Sequence, residues 1–205
     1  MNSPDMAPPV CPSRQPWTLH RGWLPPERSN VWQRTITQEM AWQQPVVQVY
    51  GRRHAVPRLT GFLASEGLRY RYSGTTHCGE GWPSWFELLR QQVNEACGTC
   101  FNGCLLNLYR NGEDRMGWHA DDEQEIDQTR PIASLSLGAT RDFCLRHRQD
   151  PMRRETLALA DGDLLHILQA CWSILVASLI GIALWLDWGL ARAFGASWQN
   201  DSASK

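Results

Sequence analysis

Between Leu164 and Leu186 the chain runs for 23 residues without a charge, and only His166, Gln169, Ser173 and Ser178 interrupt it with clearly polar side chains. A segment of this kind has to leave water. About 20 apolar residues cross a bilayer as a helix, and a buried apolar helix capping the rest of the chain meets the same need. No other stretch resembles it. The whole chain has 205 residues and 23.4 kDa, enough for one domain with a real core and too short for two large ones. Eleven Trp and a charged fraction of only 20% exclude disorder over the whole length. A net charge of −1 shows no global basic field of the kind that announces a nucleic-acid partner.

Three regions divide the chain: a disordered leader over 1–16, a folded domain over 17–165 and an atypical apolar tail over 166–205. The leader is rich in Pro (Pro4, Pro8, Pro9, Pro12, Pro16) and has no apolar core of a secretion signal. With seven Cys, an odd number, reduced thiols and a cytoplasmic location are expected. Cys97, Cys100 and Cys104 form a C-x-x-C-x-x-x-C cluster, but a zinc site wants a fourth ligand and none is obvious, so buried or incidental thiols are expected there.

Pro25-Pro26 opens a helix that carries Trp32, Ile36 and Met40 on one face. Ser84-Trp85-Phe86-Glu87 fits a capping box, with Leu89, Val93 and Cys97 continuing one helical face. Val46–Tyr50 reads as a strand broken at Gly51, and a basic stretch of Arg52, Arg53, His54 and Arg58 follows. Further strands are expected at Leu105–Tyr109 and Ile132–Leu137, with Phe143 and Leu145 sharing a face, as do Leu157 and Leu159. Turns are marked by Arg110-Asn111-Gly112 and Asp161-Gly162. Helices in front of many short strands indicate an α+β fold with a jelly-roll β domain, a double-stranded β-helix.

The chemically informative segment is Gly117-Trp118-His119-Ala120-Asp121-Asp122-Glu123. In a strand, residues i and i+2 point the same way. His119 and Asp121 can therefore present an imidazole and a carboxylate to one point. H-x-D with a distant His is the two-His, one-carboxylate set that holds Fe(II) with open positions. Taken alone, the tripeptide reads better as an exposed acidic turn after a strand. Asn107 and Tyr109, also at i and i+2, are both able to hydrogen-bond a ligand carboxylate, or else to serve a turn and the packing.

Taken together these residues resemble the AlkB family of Fe(II)/2-oxoglutarate-dependent nucleic-acid dealkylases. The resemblance is carried by Leu106-Asn107-Leu108-Tyr109, by Gly117-x-His119-x-Asp121-Asp122-Glu123 and by Pro131 to Gly138. It continues through Arg141 to His147 and Asp161-Gly162-Asp163-Leu164-Leu165. Upstream, Val47-Gln48-Val49-Tyr50-Gly51 and Tyr70-Arg71-Tyr72-Ser73-Gly74 look like the branch that repairs double-stranded DNA. The resemblance implies Fe(II) held by His119 and Asp121, and the co-substrate 2-oxoglutarate bound by Asn107 and Tyr109. It implies a hairpin tip, Val49-Tyr50-Gly51, that wedges into the duplex when a damaged base flips out. Tyr70, Tyr72, Ser73 and Glu123 would line the base pocket, and Arg52, Arg53 and Arg58 would touch phosphates. The partner implied is alkylated double-stranded DNA, met by a monomer.

The family pattern then stops. A second metal His is expected about a dozen residues beyond Leu165, followed by an Arg-x-Asn-x-Thr-Phe-Arg run whose first Arg holds the distal carboxylate of 2-oxoglutarate. Neither is present. His166 stands too early, and Arg192 lies in an unrelated context. A frameshifted or replaced C-terminus therefore joins the membrane helix and the capping helix as accounts of the tail, with the last jelly-roll strands expected to be lost or replaced. The expected function is oxidative dealkylation of DNA bases, weakened in this chain. The alternatives are a non-catalytic DNA-binding remnant and a protein tethered to a membrane through 164–186.

Overall fold

The computed structural model describes residues 17–49, 51–72, 75–119, 131–168, 172–176 and 181–187. The chain begins with β1 (Trp17–His20), α1 (Pro26–Glu39), the strands β2 (Val46–Val49) and β3 (Arg52–Ala55), and β4 (Leu59–Ala64). Next come β5 (Arg69–Tyr72), β6 (Thr75–Cys78), α2 (Ser84–Cys97) and β7 (Gly103–Tyr109). The second half is all strand: β8 (Met116–His119), β9 (Pro131–Gly138), β10 (Arg141–His147) and β11 (Arg154–Leu159), then β12 (Leu164–Leu168), β13 (Trp172–Val176) and β14 (Gly181–Asp187). A six-stranded sheet has the order β1-β12-β9-β14-β7-β4, and a four-stranded sheet the order β11-β10-β13-β8. Two hairpins, β2–β3 and β5–β6, stand apart from them.

The apolar run is thus three strands. Where it is described the run is strand and not helix, and the expectation of last strands lost or replaced is corrected as to their loss. β12 lies between β1 and β9, β13 between β10 and β8, and β14 between β9 and β7. Among the described residues no helix is long and apolar enough to cross a membrane.

Two cores explain why the strands are so apolar. Alternate residues of the six-stranded sheet (Cys104, Leu106, Ala133, Leu135, Leu137, Leu164) pack against Ile36 of α1 and Phe86, Leu89 and Val93 of α2. The other parity (Tyr109, Ile132, Leu165, Ile167) meets Met116, Phe143, Leu145, Leu157 and Leu159 between the sheets. Burying a side chain of this size contributes about 1.5–3 kcal/mol. Trp17 Nε1 donates to Glu155 Oε2 at 2.8 Å, linking the two sheets at one edge.

α1 begins as expected, with Pro25 at the N-cap and Pro26 in the first turn, and its Ile36 is fully buried. α2 differs from the capping-box reading. Pro83 occupies the N-cap and Ser84 is already helical, so no side chain caps the end. Glu87 instead accepts from Arg90 at 2.9 and 2.5 Å and from Gln91 at 3.0 Å. Gly162 turns the chain between β11 and β12 with φ +77, and a Cβ there would lie 2.0 Å from the Leu24 carbonyl oxygen. Only Gly fits that approach.

Cys97, Cys100 and Cys104 are free cysteines. Cys104 is fully buried and Cys97 partly so; burial pushes the Cys97 thiol up to about 11 and that of Cys104 higher still. Neither is a thiolate near neutrality. Among the described residues no group of three His, Cys, Asp or Glu is placed to hold a metal ion.

Candidate active site between the two sheets

β7 brings Asn107 and Tyr109 to the inner face of the six-stranded sheet, and both are fully buried. Asn107 Oδ1 accepts from Arg58 Nε at 2.8 Å. Its Nδ2 has no hydrogen-bond partner among the described residues. Arg58 is itself buried, so the reading of this residue as a phosphate contact is corrected: it holds Asn107 from within.

His119 ends β8 beside a local irregularity. β8 pairs with β13 through Met116↔Val176 and His119↔Ile174, so three steps on β8 oppose two on β13. This β-bulge breaks the two-residue alternation. Met116 joins the inter-sheet core. Trp118 remains 37% exposed, with the Arg146 guanidinium 4.4 Å above its ring. His119 is turned back so that its Nε2 is buried. Its Nδ1 lies 2.9 Å from the Gly117 carbonyl oxygen, which can only accept, so Nδ1 is the donor of that bond. A backbone carbonyl on one ring nitrogen is the usual way a metal-binding imidazole is oriented.

The other histidines face elsewhere. His166 is on β12 in phase with Leu164, toward the helices, and burial together with nearby His20 lowers its pKa. His54 is exposed on β3. His77 lies 5.3 Å from the Phe62 ring. His147 is inward on β10, but its Nδ1 accepts the Asp150 N–H at 3.2 Å. The sequence places no His at the position of the family's second ligand. Asp121 and Glu123 lie outside the described residues, as do Tyr50 and Ser73. Of the expected iron ligands, only His119 therefore lies among the described residues. Asn107, whose inward amide nitrogen has no partner among the described residues, suits the keto acid better.

One such group was quoted in a motif without a role. Arg141 opens β10 in phase with Phe143 and Leu145, and it is 4% exposed. Its guanidinium lies 3.7 Å from the Tyr109 ring centre, and burial pushes its pKa down to about 10. Alternation was the available signal: an Arg in step with Phe143 and Leu145 must enter the core. Ser134, in phase with Ile132, also turns inward, and its Oγ has no hydrogen-bond partner among the described residues. Arg58 had no such signal, because it precedes its strand.

The DNA-facing expectations fall on the two hairpins. Val49 pairs with Arg52, and Gly51 has φ +77. Arg52 and Arg53 are exposed. In the second hairpin Tyr70 is buried and stacks on Phe62, ring centres 5.9 Å apart, while Tyr72 ends β5. A cleft of about 680 Å³ beside β4 is lined by Thr60, Phe62 and His77. Asn107, Tyr109 and His119 are not part of its described lining.

A double sheet backed by helices, with polar side chains turned into its interior, defines a jelly-roll oxygenase frame. The chain belongs to the 2OG-Fe(II) oxygenase superfamily, whose description matches residues 17–170, and that family works with Fe(II) and 2-oxoglutarate. Among solved structures it is similar to OsALKBH1, with TM-score 0.64, 14% identity and coverage of 85% of this chain and 98% of that one. A 2OG-Fe(II) oxygenase family member from Burkholderia pseudomallei matches with TM-score 0.58, 12% identity and 85% of each chain. The AlkB-like character rests on sequence relatives. DNA oxidative demethylase ALKBH2 of Bos taurus is 42% identical over 126 residues, covering 58% of this chain and 45% of that protein. Its Arabidopsis thaliana namesake is 34% identical over 152 residues, covering 68% and 48%. The chain spans about half the length of these curated relatives.

Proposed function

We propose that this chain is an AlkB-like oxygenase that removes alkyl groups from bases of double-stranded DNA as a monomer, with activity weakened by its short ligand set. The observation that carries the reading is the 42% identity to DNA oxidative demethylase ALKBH2 within the 2OG-Fe(II) oxygenase fold. Iron and 2-oxoglutarate, when bound with O₂, supply the oxidation that hydroxylates an N-alkyl carbon, releasing it as an aldehyde with succinate and CO₂ as co-products. The residues of the chain then have these parts. His119 presents Nε2, and Asp121 is its partner ligand. Asn107, held by Arg58, and Tyr109 orient the co-substrate. The aromatic faces of Tyr70 and Tyr72, with Ser73 and Glu123, receive a flipped base. Val49, Tyr50 and Gly51 form the tip that fills the gap, and Arg52 and Arg53 meet phosphates beside it. With the second His missing, iron is held more weakly and turnover falls.

The test is incubation of the purified protein with Fe(II), 2-oxoglutarate and methylated duplex DNA. Succinate and demethylated base above a His119→Ala control are expected; equality with that control refutes the reading.

The exposed Arg52 and Arg53 on a hairpin separate from both sheets favour a second reading, a DNA-binding remnant without catalysis. It expects duplex binding that survives chelation, weakens with Tyr50→Ala, and shows a shallower salt dependence by about one phosphate contact for each Arg removed. Unchanged binding by Tyr50→Ala counts against it.

A further inference from the structure

We propose that Arg141 holds the distal carboxylate of 2-oxoglutarate in this chain, in place of the C-terminal Arg that the sequence lacks. The inference rests on the oxygenase reading above. Arg141 enters the space between the sheets from β10 and is almost wholly buried, at 4% exposure. Among the described residues none of its three side-chain nitrogens has a hydrogen-bond partner. A buried guanidinium that has lost its water is costly unless an acceptor replaces it. The stack on Tyr109, at 3.7 Å, offsets part of that cost and leaves every N–H unmet.

Among the described residues no carboxylate closes the gap. Asp114 is the acid that senses Arg141, but its oxygens accept from Arg110 at 2.7 and 2.9 Å and from the Arg110 backbone N–H at 2.9 Å. What the guanidinium lacks among the described residues is an anion with two parallel acceptors, and a carboxylate matches its fork. The other polar groups suit a ligand with a second polar end. Asn107 Nδ2 and Ser134 Oγ turn into the same inter-sheet space without partners among the described residues. Burial lowers the Arg141 pKa only to about 10, so the group is still a cation at neutral pH.

The experiment measures binding, not turnover. Equilibrium dialysis with the full chain and Mn(II) compares 2-oxoglutarate with 2-oxobutyrate, which keeps the keto-acid end and has no distal carboxylate. The parent should prefer 2-oxoglutarate, and R141M should lose about thirtyfold of its affinity with 2-oxobutyrate unchanged, as befits a lost charge-assisted pair. R141M should also melt no lower than the parent without ligand, because it removes an unpaired buried charge. A merely structural Arg141 gives the opposite pattern: R141M melts lower and keeps its preference, and that result overturns the proposal. Should R141M fail to fold, R141K decides, since it keeps the charge without the fork. A preference reduced at least threefold supports the proposal and an unchanged one overturns it. A parent chain that binds neither acid overturns the oxygenase reading as well, which separates the two failures.

Discussion

Replacing Asn107 with Leu tests whether the inter-sheet site is held from behind by Arg58. The two side chains are buried at 0% and 5% exposure, and a single 2.8 Å bond joins Arg58 Nε to Asn107 Oδ1. A hydrogen bond from a charged donor contributes about 1.5–3 kcal/mol, and burial removes the screening that would reduce it. N107L keeps the side-chain volume and deletes the acceptor, so a loss of about 2–3 kcal/mol is expected. For a chain of this size each kcal/mol lowers Tm by about 2–4 °C, which makes a fall of about 4–12 °C. The assay is a double-mutant cycle by urea denaturation, with R58M as the second arm. R58M should be destabilising alone, and R58M/N107L should cost at least about 1 kcal/mol less than the two single changes added together. Additivity within about 0.3–0.5 kcal/mol, the value for independent sites, refutes the coupling. R58M should also weaken 2-oxoglutarate binding, since it leaves the Asn107 amide unheld.

Three other expectations follow from the geometry. Deleting Trp118 restores the two-residue alternation of β8 and turns His119 outward, so Mn(II) affinity measured by electron paramagnetic resonance should fall to that of His119→Ala; retained affinity would mean that the bulge does not aim the ring. Burial lowers the pKa of both His77 and His166, so the folded chain resists protons that the unfolded chain accepts, and stability should decline as pH drops below the ordinary value of 6.5. His166→Gln should flatten that decline in urea midpoints, and an unaltered slope would discount His166. Gly162→Ala should cost about 3 kcal/mol by thermal melt, from the Leu24 clash and the positive φ together, and a Tm within 2 °C of the parent would contradict the close approach.

Much of the sheet was readable because alternation survives wherever one face differs from the other. Phe143 and Leu145, and Leu157 and Leu159, mark strands that are buried on one side and exposed on the other. β12 was hidden as a strand because both of its faces are buried. Leu164 packs under the helices and Leu165 packs between the sheets, so neighbours are equally apolar and the two-residue period vanishes. A continuous apolar segment then looks helical. Asn107 and Tyr109 were legible as a pair on one face of β7 through their two-residue spacing. The bulge that aims His119 was not, because its register is decided by β13, a partner more than fifty residues away in sequence. Arg58 escaped for a related reason: its burial comes from the chain folding over it, and no local pattern records that.

The placement of β14 bears on how the chain comes to be folded at all. The last described strand is an interior one, between β9 and β7. Until it arrives from the ribosome, two long strands display open hydrogen-bonding edges, and neither can pair with its final neighbour. Such edges invite pairing with other molecules. A nascent chain halted before Gly181 would therefore be a template for aggregation, and a cell making this protein has reason to shelter its first 180 residues until the final rung slides in.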